Sequence, residues 1–171
     1  MSKELRDAAA PALIEIPGEF APALLQYGEN ARVLPWRDDP QPYKVWVSEI
    51  MLQQTRVEAV KPYFQRFMEV LPNLESLAQA EEQILLKLWE GLGYYNRARN
   101  LQKAAQQALS EYGGLPSTAE ELIRLPGIGP YTAGAVASIA FGRPVPAVDG
   151  NVLRVVSRIL ACREDIMKAG V

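Results

Sequence analysis

The chain has 171 residues, of which 49% are hydrophobic and 22% charged, a composition that fits one globular domain, or one domain and part of a second. It contains one cysteine and no histidine, which excludes an internal disulfide, zinc sites built from cysteine and histidine, and histidine-dependent nucleophilic catalysis. The net charge of −2 argues mildly against a broad DNA-binding face, unless backbone N–H groups make most phosphate contacts.

The two ends of the chain differ from its middle. Residues 1–22 mix alanine, proline and charged side chains without a secretory pattern, and we expect a poorly ordered extension. No apolar run reaches the length that crosses a bilayer, so no membrane association is expected. The sequence stops at Val171 without a helix-termination signal, which is typical of a truncated chain.

Between these ends the hydrophobic pattern is helical, with no convincing strand and no internal repeat, and it predicts an all-α fold with short connections. A first helix is expected over residues 23–32, followed by an irregular stretch over 34–42. Further helices are expected over residues 44–53, 57–70, 81–90 and 97–112, with a break or kink at Pro62 and a stop at Gly113-Gly114.

A helical hairpin is predicted in the second half of the chain. Ser117 or Thr118 is expected to cap a helix that ends at the Leu-Pro-Gly-Ile-Gly sequence of residues 125–129. Its glycines permit a tight turn, and the free N–H groups that open the next helix, over 131–141, suit a phosphate oxygen. From these residues alone, an ordinary corner between helices is somewhat better supported. A last helix is expected over 152–161.

Two carboxylates are candidates for acid–base chemistry. Glu49 lies in a mainly apolar helix, where it either pairs with a nearby cation or acts as a general acid whose pKa is raised by burial. Asp149, in Val-Asp-Gly-Asn, either caps the last helix or faces a developing positive charge. Paired carboxylates that are far apart in sequence and face one cleft are the machinery of glycosidic bond cleavage.

Two short segments suggest contacts with bases. Residues 91–95, Gly-Leu-Gly-Tyr-Tyr, carry aromatics that are more often core residues than ligands, although a tyrosine on a glycine-rich loop can also wedge into a base stack. Gln53-Gln54 ends the Glu49 helix, where amides are normally solvated. Beside a wedge, such amides can instead bond to orphaned base edges.

Together these residues resemble the helix-hairpin-helix DNA glycosylase superfamily, and closely its adenine-specific, MutY-type branch. The similarity runs from about Tyr27 to Ala161. It rests on the joint occurrence, in order, of Leu34-Pro35-Trp36-Arg37, Pro42-Tyr43-Lys44-Val45-Trp46, residues 49–55, residues 91–95 with Arg97, Arg99 and Asn100, the hairpin 125–129 with Tyr131, and residues 148–152.

The resemblance implies hydrolysis of the N-glycosidic bond of adenine mispaired with 8-oxoguanine or guanine in double-stranded DNA, after the adenine is flipped into a pocket. Glu49 would protonate the purine and later help to activate water. Asp149 would stabilise the cationic sugar, with Tyr131 and Asn151 as supporting neighbours. The adenine pocket would be lined by Arg32, Trp36 and Arg37. The gap in the duplex would be filled or read by Leu52, Gln54 and Tyr94. Phosphate would be held by the hairpin residues Gly127, Ile128 and Gly129.

The resemblance also implies a domain organisation and a cofactor. It predicts a six-helix barrel over residues 33–145, with the helix-hairpin-helix at 118–142, and an incomplete second helical domain of the iron–sulphur type formed by 23–32 and 146–171. Full-length relatives bind a [4Fe–4S] cluster through four cysteines, and Cys162 alone cannot hold one. We expect no metal or cofactor in this chain, a [4Fe–4S] cluster in the full-length protein, and weak or absent activity of the fragment.

Tyr131 separates two chemistries. Superfamily members that also cut the strand, such as endonuclease III, carry a lysine at this position, and its amine forms a Schiff base with the sugar. A tyrosine cannot form that imine, so we expect base removal without efficient strand cleavage. The protein is expected to be a monomer, cytoplasmic and DNA-associated in a bacterium, or nuclear in a eukaryote.

Three other interpretations remain open at this point. A thymine glycosylase acting on G/T mismatches resembles the chain around Tyr131 and Asp149, whereas Gln53-Gln54 and residues 91–95 favour adenine. A non-catalytic module that binds mismatched DNA is possible, but the presence of both Glu49 and Asp149 favours an enzyme. A helical protein-interaction module would require every motif to match by chance.

Overall fold

The computed structural model describes residues 33–162, and every regular element within that range is an α-helix. The predicted all-α class is thereby confirmed. The helices in chain order are α1 (Pro35–Asp38), α2 (Pro42–Leu52), α3 (Val57–Val70), α4 (Leu74–Gln79), α5 (Glu82–Trp89), α6 (Asn96–Tyr112), α7 (Ala119–Leu122), α8 (Pro130–Phe141) and α9 (Gly150–Ile159). No helix in the described range is long and apolar enough to cross a membrane.

Proline and glycine set many of the helix boundaries. α1, α2 and α8 each begin with a proline, whose fixed φ suits the first helical turn and whose missing N–H is not needed there. α6 and α8 end at glycines in the left-handed conformation, Gly113 with φ 72° and Gly142 with φ 64°. The cap of α7 is Thr118, whose hydroxyl oxygen accepts a hydrogen bond from the backbone N–H of Glu121.

The structure differs from the sequence-based expectation at two short helices. Residues 34–42 were expected to be irregular, yet α1 forms within them, and α4 was not expected at all. Each is too short to show a hydrophobic period. α4 is instead begun by a reciprocal cap, in which the Asn73 side chain accepts from the N–H of Ser76 at 2.8 Å and the Ser76 hydroxyl accepts from the N–H of Asn73 at 3.2 Å.

A break or a kink was expected at Pro62, and the break does not occur, because α3 runs through that residue as one helix. Proline removes one backbone donor, but its fixed φ is itself helical. Val60 before it and Phe64 and Phe67 after it are all buried, so both parts of the helix are packed against the core. Tertiary packing therefore outweighs the local cost of the proline.

Some predictions lie outside the described residues. These are the N-terminal extension over 1–22, the first helix over 23–32 with Arg32, and the end of the predicted iron–sulphur type domain over 163–171.

α2 is the central helix of the core. Trp46, Val47 and Met51 are fully buried, and Val45 and Ile50 are nearly so. A helix that is apolar around most of its circumference is buried on most sides. α2 accordingly packs against α1, α3, α6 and α8.

α8 is the second buried helix, and its side chains are small. Residues 132–137, Thr-Ala-Gly-Ala-Val-Ala, are all buried. Small side chains let two helix backbones approach closely, and α8 packs against both α2 and α7. In contrast, no residue of α9 is buried, although that helix is strongly amphipathic.

Gly134 in the middle of α8 permits a close backbone crossing. A Cβ added to this residue would lie 2.2 Å from the carbonyl oxygen of Pro146 and 3.2 Å from the Cα of Ala147. Both neighbours are backbone atoms, which cannot rotate away as a side chain can. The segment that leads into Asp149 therefore rests directly on Gly134.

We predict that Gly134→Ala lowers the free energy of unfolding by about 1–3 kcal/mol, because the new methyl group forces the 146–147 backbone off α8. Urea unfolding followed by circular dichroism measures this change. Gly150→Ala is the matched control, since an added Cβ there meets nothing within 4 Å and alanine is the better helix former. An equal loss of stability in both variants would contradict the packing argument.

Candidate active site

Glu49 is the acid of α2 and is half-buried, with the buried residues Ser48 and Ile50 on either side of it. Burial is the largest influence on its carboxyl and raises the pKa above the ordinary value of 4.5. A hydrogen bond with Tyr131 and the positive charge of Arg37 act in the opposite direction, and the negative charge of Asp149 adds to the increase. The net result is a carboxyl group that holds its proton more firmly than an exposed glutamate.

Tyr131 lies in the first turn of α8, next to Glu49. The pKa of its hydroxyl is raised to about 12, mainly by burial and further by the charges of Glu49 and Asp149 and by the interaction with Glu49. The hydroxyl is therefore protonated at neutral pH and can donate to a carboxylate. The packing of α2 on α8 thus brings two of the predicted site residues together.

Asp149 is the N-cap of α9. Its carboxylate accepts hydrogen bonds from the N–H groups of Val152 at 2.8 Å and Asn151 at 3.0 Å, and from the Asn151 side-chain amide at 3.0 Å. The bond from Val152 is the largest cause that lowers the pKa of Asp149 below 3.8, followed by the Asn151 side chain. Asp149 therefore stays ionised.

The two carboxyl groups influence one another, and their pKa values shift in opposite directions. The charge of Asp149 raises the pKa of both Glu49 and Tyr131, so these three groups lie close enough to influence one another. One carboxyl is shifted toward the neutral acid and the other toward the anion. Opposite shifts in neighbouring carboxyls are the arrangement that separates a general acid from a charge-stabilising group.

The residues predicted to line an adenine pocket divide between surface and core. Arg37 is exposed, and its charge acts on Glu49. Trp36 is only 5% exposed and packs edge-to-face on Phe64, with ring centroids 5.2 Å apart, so most of its ring is part of the core. Arg32 lies outside the described residues.

The residues predicted to read or fill a gap in DNA lie near the end of α2 and in the 91–95 loop. Leu52 is half-buried against the core, Gln54 is exposed, and Tyr94 is 68% exposed. Gln54 and Tyr94 both line an open recess of about 490 Å³, together with Gln53 and Arg97. The structure therefore brings two segments that are distant in sequence to one surface.

Arg97 is a residue to which the sequence analysis gave no role beyond its place in a motif. It lies at the start of α6, and its guanidinium donates hydrogen bonds to backbone carbonyls of both segments around the recess. The sequence carried no local signal for this role, because the carbonyls that Arg97 contacts belong to segments brought together only by the fold.

The helical hairpin joins α7 to α8. Ile128 is 5% exposed and anchors the turn, and its N–H donates to the carbonyl of Leu125 at 3.2 Å. Gly127 and Gly129 are exposed, and Gly127 has φ 77°. Gly129 is the N-cap of α8 and provides no side-chain cap, so side chains do not cover the N–H groups at the start of that helix.

The residues of this chain do not fit an iron–sulphur cluster. Such a cluster needs four thiolate ligands, and the sequence has one cysteine, the exposed Cys162. Within residues 33–162, no three Cys, Asp or Glu side chains are grouped closely enough to hold a metal ion.

Comparisons with known proteins agree with this geometry. Residues 47–170 match the family model of the HhH-GPD superfamily base excision DNA repair protein. The adenine DNA glycosylase of Mus musculus is 49% identical over 149 residues, which are 81% of this chain and 29% of the relative. The adenine DNA glycosylase of Schizosaccharomyces pombe is 46% identical over 171 aligned positions, which cover 87% of this chain and 37% of the relative.

Two solved structures are similar to this chain in both fold and sequence. A thermostable thymine-DNA glycosylase matches with a TM-score of 0.75 and 30% identity, covering 81% of this chain and 65% of that protein. A trapped covalent complex of endonuclease III with DNA matches with a TM-score of 0.73 and 28% identity, covering 86% and 70%. The chain spans about a third of the length of the curated relatives. It belongs to the HhH-GPD superfamily of base excision DNA repair proteins.

Proposed function

We propose that this chain carries the catalytic residues of a DNA glycosylase that hydrolyses the N-glycosidic bond of adenine mispaired with 8-oxoguanine or guanine. The observation that carries the proposal is the pair Glu49 and Asp149, whose pKa values shift in opposite directions in one environment that also contains Tyr131. The relatives named adenine DNA glycosylase support the choice of base.

The first chemical step is cleavage of the bond between the sugar and the base. Glu49 in its acid form donates its proton to a ring nitrogen of the flipped adenine. The glycosidic bond breaks, and its electron pair leaves with the protonated base. A raised pKa favours this step because Glu49 then keeps its proton up to a pH that is closer to neutral.

The second step is the capture of the sugar cation by water. Asp149 remains ionised because α9 donates N–H groups to it, and its negative charge stabilises the oxocarbenium-like sugar. Water adds to the anomeric carbon and gives a proton to the Glu49 carboxylate, which restores the acid. Asn151 holds the Asp149 carboxylate in place through its side-chain hydrogen bond, and Tyr131 lies beside Glu49, where its hydroxyl can donate to the carboxylate.

The remaining predicted residues have roles in binding DNA. Gly127 and Gly129 offer backbone N–H groups to a phosphate, and Ile128, whose own N–H bonds to Leu125, anchors the turn that presents them. Backbone donors add no charge, which fits the acidic composition. Leu52, Gln54 and Tyr94 enter the gap left by the flipped base, and Arg32, Trp36 and Arg37 border its pocket. These roles, the monomeric state, a bacterial cytoplasmic or eukaryotic nuclear location and a [4Fe–4S] cluster in the full-length protein are proposed on the resemblance.

A thymine glycosylase is the second candidate, because the thermostable thymine-DNA glycosylase is 30% identical to this chain. The curated adenine glycosylases are more similar, at 43–49% identity. The two candidates share the proposed chemistry at Asp149 and differ in the base that is removed, so a choice of substrates separates them.

We predict slow excision of adenine opposite 8-oxoguanine and opposite guanine, and none of thymine opposite guanine. The measurement is single-turnover incubation with labelled duplexes, followed by alkali, which cuts the abasic product. Asp149→Asn and Glu49→Gln should each reduce the rate by at least about 100-fold, since they remove charge stabilisation and proton donation. Glu69→Gln, an exposed change on α3, should retain the rate. Alkali cleavage only at thymine would show that thymine, and not adenine, is the base that is removed.

We predict that Glu49→Gln raises the melting temperature at pH 7 and that this gain shrinks toward zero near pH 4. The pKa of Glu49 is raised in the folded state, so folding favours the protonated form. At a pH where the group is ionised, Glu49 therefore lowers the free energy of unfolding, and at a pH where it is protonated it does not. Glutamine removes that penalty. Thermal unfolding at both pH values, with Glu69→Gln as control, measures it. A gain of the same size at pH 4 would show that ionisation is not the cause.

We predict that Tyr131→Lys converts the protein into one that bonds covalently to an abasic site. Borohydride reduction of an imine between the lysine amine and the sugar would trap protein on a preformed abasic duplex, which does not require base excision. The unchanged protein and Tyr95→Lys, an exposed change in the 91–95 loop, should give no adduct. An adduct with the unchanged protein would refute the assignment of a hydrolase without strand cleavage.

A further inference from the structure

Arg97 is bonded to the C-terminal end of α2. Its Nη1 donates to the carbonyls of Ile50 at 3.0 Å and Met51 at 3.2 Å, and also to that of Gln53. The last carbonyls of a helix have no partner within the helix, and the helix dipole places partial negative charge there. A guanidinium at this position donates hydrogen bonds to those carbonyls and places positive charge at the negative end of the helix dipole.

The same guanidinium is bonded to the 91–95 loop. Its Nη2 donates to the carbonyls of Leu92 at 3.1 Å and Gly93 at 3.3 Å. The guanidinium carbon also lies 5.6 Å from the ring centroid of Trp89 and 5.7 Å from that of Tyr94, within cation–π range. No carboxylate in the described part of the chain pairs with Arg97, so backbone oxygens and rings are its partners there.

The residues that follow two of these carbonyls have strained backbones. Gln54 follows Gln53 with φ 60°, and Tyr94 follows Gly93 with φ 48°. A non-glycine side chain in the left-handed region is strained, because its Cβ crowds the backbone. Relaxing φ at either residue turns the peptide plane that contains the preceding carbonyl. A hydrogen bond that holds that carbonyl therefore opposes the relaxation.

We propose that Arg97 is a positioning residue that holds Gln54 and Tyr94 in their left-handed conformations and joins the end of α2 to the 91–95 loop as one unit. Gln54 and Tyr94 line the same recess, so one guanidinium sets the relative position of an amide and an aromatic ring. The part of this proposal that concerns DNA rests on the proposed function. There, the unit is formed before DNA binds, which reduces the ordering cost at the moment of insertion.

Arginine is suited to this position and lysine is not. The planar fork directs two nitrogens toward two different chain segments at once, whereas an ammonium group is a single point of donation. Arg97→Lys therefore keeps the charge and the stem and removes the bridge. Arg99→Lys is the matched control, because Arg99 lies two residues further along α6, is exposed, and pairs with Glu82 rather than with either segment.

Hydrogen exchange of the 171-residue chain tests the bridge without DNA. In Arg97→Lys we expect faster exchange, by about tenfold or more, in both segments, residues 50–55 and 91–96, with α3 and α4 unchanged. Arg99→Lys should leave both segments as they are in the unchanged chain. A change confined to one segment, or no change in either, would overturn the proposal.

A second measurement separates held strain from simple loss of packing. Glycine adopts φ near 60° without strain, so Gln54→Gly relieves strain in the chain that keeps Arg97. In the Arg97→Lys background residue 54 has already relaxed, and there is no strain left to relieve. The change in melting temperature caused by Gln54→Gly should therefore be more favourable by a few degrees in the first background than in the second. The unfolded-state cost of glycine is the same in both backgrounds and cancels. Equal effects in the two backgrounds would mean that Arg97 holds no strain at Gln54, and the proposal would fail.

The DNA arm uses a duplex with a tetrahydrofuran abasic-site analogue opposite guanine, compared with a fully paired duplex. Arg97→Lys should reduce the preference for the abasic duplex about tenfold, while Arg99→Lys keeps the preference of the unchanged chain. An unchanged preference in Arg97→Lys contradicts the role in DNA reading. If the unchanged chain itself showed no preference, the proposed function would fail, and exchange and melting would still decide the role of Arg97.

Discussion

The contact between α2 and α8 is the constraint on which the rest of the site depends. Buried small residues of α8 allow it to approach α2 closely, and that approach brings the half-buried Glu49 beside Tyr131. The N-terminus of α8 is also the second arm of the hairpin. One packed interface therefore fixes the proposed acid, the tyrosine beside it and the proposed phosphate contact, and a shift in the core would move all of them together.

The opposite pKa shifts of the two carboxyl groups follow from where each lies along a helix. Glu49 is inside α2, where backbone N–H groups are already used by the helix, so burial is the dominant influence and the pKa rises. Asp149 precedes α9, where the first N–H groups are free, and they donate to its carboxylate and lower its pKa. The same helix geometry therefore raises the pKa of a carboxyl in the interior of a helix and lowers the pKa of a carboxyl at the start of one.

The sequence predicted the long helices well, because their hydrophobic period and their proline and glycine boundaries are local signals. It missed α1 and α4, which are too short to show a period, and of the break or kink expected at Pro62 the break does not occur, because α3 continues through that residue. It identified Glu49, Tyr131 and Asp149 as candidates, but their mutual influence depends on the packing of distant segments. Gly134 and Arg97 received no role, since what each contacts is fixed only by the tertiary structure.

The residues proposed to act on DNA are also those that cost the fold stability. A half-buried carboxyl with a raised pKa and two side chains with left-handed backbones each raise the free energy of the folded state. Such features persist when the surrounding structure holds them firmly, and here the holding elements are the central helix α2 and the bonds from Arg97 to its end. A more relaxed surface would fold more stably, but it would have to be ordered again at each binding event. The rigid core therefore allows strained residues to be kept in the conformation that the proposed reading of DNA would require.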